Sequence, residues 1–273
     1  MQRIINRRPD RLIALMLGAL PFVIIAALYL TFSAMRLAEN PSDKLLPSLQ
    51  TLGDAISRFT FHREKVSGDF LLWTDTFWSL RRMALGLGLA TLIGLVFGVA
   101  NGLIPYIRAG LAPLISVIAV IPPMAMLPIL FIVFGLEEVS KVTLIVIGVA
   151  PFLMRDVALR VAEIPKEELI KAQTLGASTW QIILRIVLPQ ILPRLIDGVR
   201  LSLGPAWLFL IAAEAIAAQS GLGYRIFLMR RYLSMDVILP YVAWITLLAA
   251  LSDYLLRLLS RNAFPWVAAG RGR

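Results

Sequence analysis

The sequence predicts an all-α, polytopic membrane protein with about six transmembrane helices. Three observations carry that prediction. Of 273 residues, 59% are hydrophobic and the mean hydropathy is +0.79, too apolar for a soluble domain. Uncharged runs long enough to cross a bilayer recur along the chain. One charged stretch, Arg155 to Arg200, interrupts them with Arg155, Arg160, Lys166, Lys171, Arg185, Arg194 and Arg200.

The first span is Leu12–Met35, preceded by Arg3, Arg7, Arg8 and Arg11. A signal peptide begins similarly, but no small-x-small cleavage site follows at the usual place, so a retained helix is expected. The basic cluster predicts a cytoplasmic N-terminus. Residues 36–82 are expected outside, with 44–82 partly helical, amphipathic and close to the membrane surface. A core of five further spans is predicted over 83–258. These are Met83–Ile107, Ala109–Leu136, Val142–Met154 extended through polar neighbours, Leu201–Tyr224 and Val237–Ser252. A cytoplasmic loop at 160–195 divides them, and 259–273 is read as a cytoplasmic tail. Of the 27 Lys and Arg, 16 fall in the predicted inside segments and 11 outside.

Two spans are unusual. Gly86, Ala90, Gly94, Gly98 and Gly102 recur every four residues, which stacks small side chains on one helix face. Such a ridge admits another backbone, either within the chain or from a second subunit. The third span carries Pro113, Pro122, Pro123 and Pro128. Adjacent prolines remove donors and break a helix. A broken helix in a membrane is tolerated where it is buried or lines a cavity. Pro122, Pro123 and Met124 are therefore candidates for a translocation pathway, against a simple packing kink.

Composition excludes several classes. With no cysteine and one histidine, His62, thiol chemistry and most zinc chemistry are ruled out, and no metal site, cofactor or catalytic residue is expected. There is no G-x-x-x-x-G-K-[ST], H-E-x-x-H or G-x-S-x-G motif. The net charge of +10 does not indicate nucleic acid, because the basic residues sit between apolar spans rather than on one soluble face. The alternatives kept open are a secondary transporter or channel, and a membrane-embedded enzyme.

The charged stretch reads as a helix pair. Pro165 suits a first helical turn, and Glu167 and Glu168 complement the positive end of its dipole. A helix over Lys166–Leu175 should stop at Gly176. Ser178-Thr179-Trp180-Gln181 fits a capping box. A second helix is expected over Thr179–Leu188, ended or kinked by Pro189, with Trp180, Ile183, Leu184 and Val187 at helical spacing.

This stretch resembles the cytoplasmic coupling loop of ABC importer permeases, which reads E-A-A, three residues, G, nine residues, I-x-L-P. Here Gly176 is followed by nine residues and then Ile186-Val187-Leu188-Pro189. Ala172 matches the second alanine, while Ile170 and Lys171 replace the glutamate and the first alanine. Leu45-Leu46-Pro47-Ser48, Ile121-Pro122-Pro123, Phe134-Gly135, Thr174 to Ser178, Ala213-Glu214 and Gly221 to Tyr224 are similar to the nitrate, sulfonate and taurine branch. The resemblance spans roughly residues 45–260. It implies a type I importer permease in a bacterial inner membrane. The implied partners are two cytoplasmic ATPase subunits, an external substrate-binding protein and a second permease copy as a homodimer. It also implies that Ala172, Gly176, Ala177, Ser178, Trp180, Arg185, Ile186, Leu188 and Pro189 engage the ATPase. For Trp180 and Arg185 the other reading is anchoring at lipid headgroups.

Glu214 stands between Ile211-Ala212-Ala213 and Ala215-Ile216-Ala217. An ionisable residue there is a functional candidate, for the pathway or an outer gate, or else a structural partner of a nearby arginine. Asp253 is expected to pair with Arg257, four residues on. Asn40 to Ser48 and Ile170-Lys171-Ala172-Gln173 look like a sub-branch associated with urea carboxylase. That would imply a guanidine-like or urea-like solute, against an oxyanion such as a sulfonate or nitrate.

Overall fold

The computed structural model describes residues 9–41, 43–64 and 68–266, and these are helical with no strand among them. The basic cluster at Arg3, Arg7 and Arg8 and the end of the C-terminal tail lie outside the described residues. Five helices are long and apolar enough to cross a membrane, and a bent pair makes a sixth span.

The first span, α1, covers Arg11–Glu39 and is exposed along nearly its whole length. Its end is tied to the next loop, where Tyr29 donates to the Pro47 carbonyl at 2.7 Å and Ser33 to the Leu46 carbonyl at 2.9 Å. In that loop Asp43 accepts from the Leu45 amide at 2.9 Å and pairs with Arg36, which together hold its carboxyl below the usual carboxylate range. Ser48 then caps the short amphipathic helix α2, Leu49–Phe61, by accepting from the Thr51 amide.

The second span differs from the expectation. The helix α3 runs Leu71–Leu103, so residues 71–82, expected in a partly helical segment at the membrane surface, are its first turns. At about 1.5 Å per residue it reaches about 50 Å. The hydrocarbon core measures about 30 Å. The helix therefore continues through Asp75, Arg81 and Arg82, with Asp75 and Arg82 buried against protein.

The third span is broken. The helix α4, Pro105–Ile118, is followed by a 3₁₀ turn at Pro123–Met126 and then α5, Leu127–Phe134, with an 83° bend between the two limbs. Pro122 and Pro123 supply the reason, since neither can donate to a preceding carbonyl. The fourth span, α6, covers Glu138–Ala162, longer at both ends than its uncharged run.

Parallel packing of α3 on α6 forms the centre. An added Cβ at Gly86 would stand 2.7 Å from Ile145 Cβ, at Gly94 2.6 Å from Leu153, at Gly98 2.6 Å from Val157 and at Gly102 2.5 Å from Val161. Ala90 is fully buried in the same row. The small-residue ridge thus serves packing within the chain, and its partners advance with it along α6. An adjoining face of α6 packs antiparallel on α9, where Gly198 lies near Asp156 and Leu153, and Gly148 faces Phe209.

Two short helices follow, α7 (Lys166–Thr174) and α8 (Thr179–Ile182). Gly176 between them has φ +82°, a conformation that side chains resist. A single π turn at Ile183–Val187 leads into α9, Leu188–Ala217. Pro189 therefore does not end the second helix. Its ring would clash with the Arg185 carbonyl in a regular α turn, and the wider π turn relieves that clash. The helices α10 (Leu222–Arg230) and α11 (Met235–Ala263) complete the fold. Since α11 runs to Ala263, the expected tail begins later than 259.

Candidate functional site

Three places carry the polar chemistry of this bundle: the end formed by the starts of α3 and α6, the broken span, and the α7–α8 end.

At the first of these, charges are enclosed. Glu214 has no exposed surface. It accepts from Ser79 Oγ at 2.8 Å, Arg82 Nη1 at 2.7 Å and the Gly223 amide at 2.8 Å. Arg82 also bonds Glu138 at 2.6 and 2.8 Å and the Ser220 carbonyl at 2.8 Å. Lys141 reaches Glu138 at 3.1 Å. A second cluster joins Asp75 to Arg225 at 2.8 Å, Tyr241 at 3.2 Å and the Gly221 amide at 2.9 Å. Together they tie α3 to α6, α9, α10 and α11. Buried charges persist in membrane proteins only when paired and hydrogen-bonded in this way. Glu214 thus stands in a buried ion pair with Arg82 in this conformation, the arrangement expected of a structural partner of a nearby arginine.

Sequence reading missed Asp75, Ser79, Arg82 and Arg225. The signal was present: positions 75, 79, 82 and 86 lie on one helix face. They continue the glycine ridge outward into polar residues.

The broken span borders a cavity of about 360 Å³ whose wall includes Ile121, Pro123, Gly148, Pro151 and Arg155. Pro123 lines it, while Pro122 and Met124 are exposed beside it. Beyond Glu214 lies a cavity of about 480 Å³, walled by Tyr224, Phe227, Arg230 and Arg231.

At the α7–α8 end the arrangement is reversed. Ser178 Oγ accepts from the Gln181 amide and Gln181 Oε1 from the Ser178 amide, completing the capping box. Gly176 is followed by a return hydrogen bond from the Ala177 amide to the Ala172 carbonyl at 3.0 Å. Ile182 and Val187 are buried and hold the pair to the bundle, with Ala172, Ala177, Ile186, Leu188 and Pro189 partly covered. Trp180 is 66% exposed, Leu175 87% and Ile170 58%, with Arg185 also outside. One bond, Gln190 to Glu168 at 2.9 Å, braces α7 against the start of α9. Further along, Arg257 meets Asp253 at 3.0 Å as expected, and Arg200 meets it at 2.8 Å, a partner the sequence reading lacked.

A helix–glycine–helix element between apolar spans matches a known family. Residues 90–266 match the binding-protein-dependent transport system inner membrane component. The chain belongs to that family. It is 39% identical over 199 residues to the taurine transport system permease protein TauC of Escherichia coli, covering 72% of each chain. It is 30% identical to a putative aliphatic sulfonates transport permease, SsuC, of Bacillus subtilis, over 69% of this chain and 68% of that one. It is 34% identical to the nitrate import permease NrtB of Synechococcus elongatus, over 54% and 52%. Its fold is that of an inward-facing MetNI methionine ABC transporter chain (TM-score 0.60, 21% identity, 68% of this chain and 93% of that one). A chain of a bacterial alginate ABC transporter in complex with a periplasmic protein also matches (TM-score 0.61, 14% identity, 93% and 99%).

The permease is therefore a multi-pass inner-membrane subunit of an ABC importer, in the nitrate, sulfonate and taurine branch. Family membership decides against the secondary transporter, channel and enzyme readings. ATP hydrolysis belongs to separate subunits, and solute reaches the permease from a binding protein.

Proposed function

We propose that this permease, as a homodimer, carries inward a small solute bearing an oxyanion group, of the sulfonate, taurine or nitrate type. The observation that carries this is the charge of its open surfaces. Glu214, the acid that would suit a guanidinium solute, is enclosed by Arg82 and Ser79. The polar cavity beyond it has Arg230 and Arg231 in its wall and no acid. A guanidine-like or urea-like solute is the second reading, favoured by the Asn40–Ser48 and Ile170–Gln173 stretches.

Both termini are cytoplasmic in this reading, so the α7–α8 end faces the ATPase. The helix pair presents Ile170, Leu175, Trp180 and Arg185, an apolar surface with a cation beside it, suited to a groove on a partner. Gly176 sets the turn, Ser178 the cap, and the continuous helix from Thr179 to Ala217 transmits movement from that contact to the spans. ATP-driven closure of the ATPase pair would rock the spans about the break at Pro122 and Pro123.

The test is a reconstituted complex of permease, ATPase and binding protein, offered taurine, nitrate, guanidine and urea. Uptake and ATPase stimulation by an anion are expected. Stimulation by guanidine alone would contradict the anion reading.

A further inference from the structure

Two cavities meet on the α4–α6 face. The first, about 360 Å³, adjoins the broken span; the second, about 300 Å³, lies nearer the α7–α8 end and is walled by Asn101, Arg108, Ser116, Arg155 and Ala162. Arg155 and Leu159 belong to both walls, so Arg155 stands at the junction.

Its charge has no counterpart. Among the described residues Arg82 pairs with Glu138 and Glu214, Arg160 with Asp156 and Glu163, Arg200 with Asp197 and Asp253, and Arg225 with Asp75. Arg155, inside the spanning helix α6, has neither an ion pair nor a hydrogen bond among them. Arg108 directs its donors to the carbonyls of Asn101 (2.9 Å) and Gly102, which leaves its charge uncompensated too. Asp156, on the wall of the first cavity, already faces Arg160 at 3.5 Å. Asn101 is 7% exposed and its Oδ1 has no hydrogen-bond partner. A free guanidinium in a span and an unsatisfied amide in the adjoining wall are both costly unless water or a solute reaches them.

We infer that Arg155 is the station that holds the transported anion between the broken span and the α7–α8 end. The inference rests on the anion reading above. A guanidinium presents two parallel N–H groups to the oxygens of a sulfonate, carboxylate or nitrate. A single such contact in a wet cavity holds an ion weakly enough for it to leave. Arg108 lies next along the second cavity, so the solute passes from one uncompensated cation to another on its way out. A lipid phosphate offers the same oxyanion chemistry, with Arg155 reaching toward the headgroups.

The experiment uses the whole importer in proteoliposomes, with taurine and nitrate as probes. A wild-type complex that moves guanidine and neither taurine nor nitrate overturns the anion reading itself. Where the wild type moves an anion, Arg155→Gln is expected to lower its uptake about tenfold while Arg155→Lys stays within about threefold. Uptake by Arg155→Gln equal to wild type overturns the inference. A second measurement leaves Arg155 in place. The chain has no cysteine, so Ala158→Cys provides a single thiol in the second cavity. A sulfonate-bearing methanethiosulfonate should react there about fivefold faster than a trimethylammonium-bearing one, relative to a free thiol. Transported anion should slow that reaction. A thiol that favours the cation, or that is protected by added phosphatidylglycerol and not by the transported anion, overturns it.

Discussion

The two ends of this bundle treat charge in opposite ways. Glu214 and Asp75 are enclosed and bonded, and with the half-exposed Glu138 they tie five helices together. At α7 and α8 the hydrogen bonds are local caps apart from Gln190 to Glu168, and Trp180, Leu175 and Ile170 face outward without cover. The first end is complete within one chain. The second is held by its caps and by the buried Ile182 and Val187, and presents a surface for something else. The difference separates what holds the fold from what the fold offers, and substitutions can be ranked by it.

The largest loss of stability is expected at the enclosed end. Arg82→Ala leaves the buried Glu214 without its cation, and uncompensated buried charge costs about 3–5 kcal/mol. Thermal unfolding of the detergent-solubilised chain measures it; a melting temperature equal to wild type would mean that the pairs are not what holds the end together. Next is Gly98→Val on the ridge, where the new side chain meets Val157 Cβ and the Met154 carbonyl. Overpacking of this kind costs about 1–3 kcal/mol, read from the same melt. Smaller still is Ser178→Ala, which removes the cap from α8 at a cost of about 1 kcal/mol and should raise amide exchange there while the spans stay protected. Least of all for stability is Trp180→Ala, expected within about 0.5 kcal/mol of wild type because the ring is exposed, yet with the greatest loss of solute-coupled ATPase activity of the four. A Trp180→Ala chain that melts early and couples normally would reverse the comparison.

Much of this was legible in the sequence, for physical reasons that also mark where reading fails. The four-residue recurrence of Gly86 to Gly102 and the Ser178–Gln181 box are local patterns, and both are present in the structure as read. Gly176 takes the positive φ that a helix-ending glycine implies. The ends of the spans were misread because a run of apolar residues was closed at its first charge. The one-face spacing of 75, 79, 82 and 86 was the local sign that α3 continues, but the partners of Arg82 and Asp75 come from more than fifty positions away in the chain, and no window on the sequence shows those. The same distance hides the enclosure of Glu214 by α3. At Pro189 the sequence left open an end or a kink, and the π turn that carries the chain past it has no sequence signature comparable to a cap.

The measurement that bears most directly on the contrast is the affinity of the purified ATPase subunit for the permease in nanodiscs, compared between wild type and Trp180→Ala. Docking at the exposed helix pair predicts binding weakened at least about tenfold with the melting temperature unchanged. Equal affinity in the two would contradict it, and would leave the uncovered α7–α8 surface to lipid.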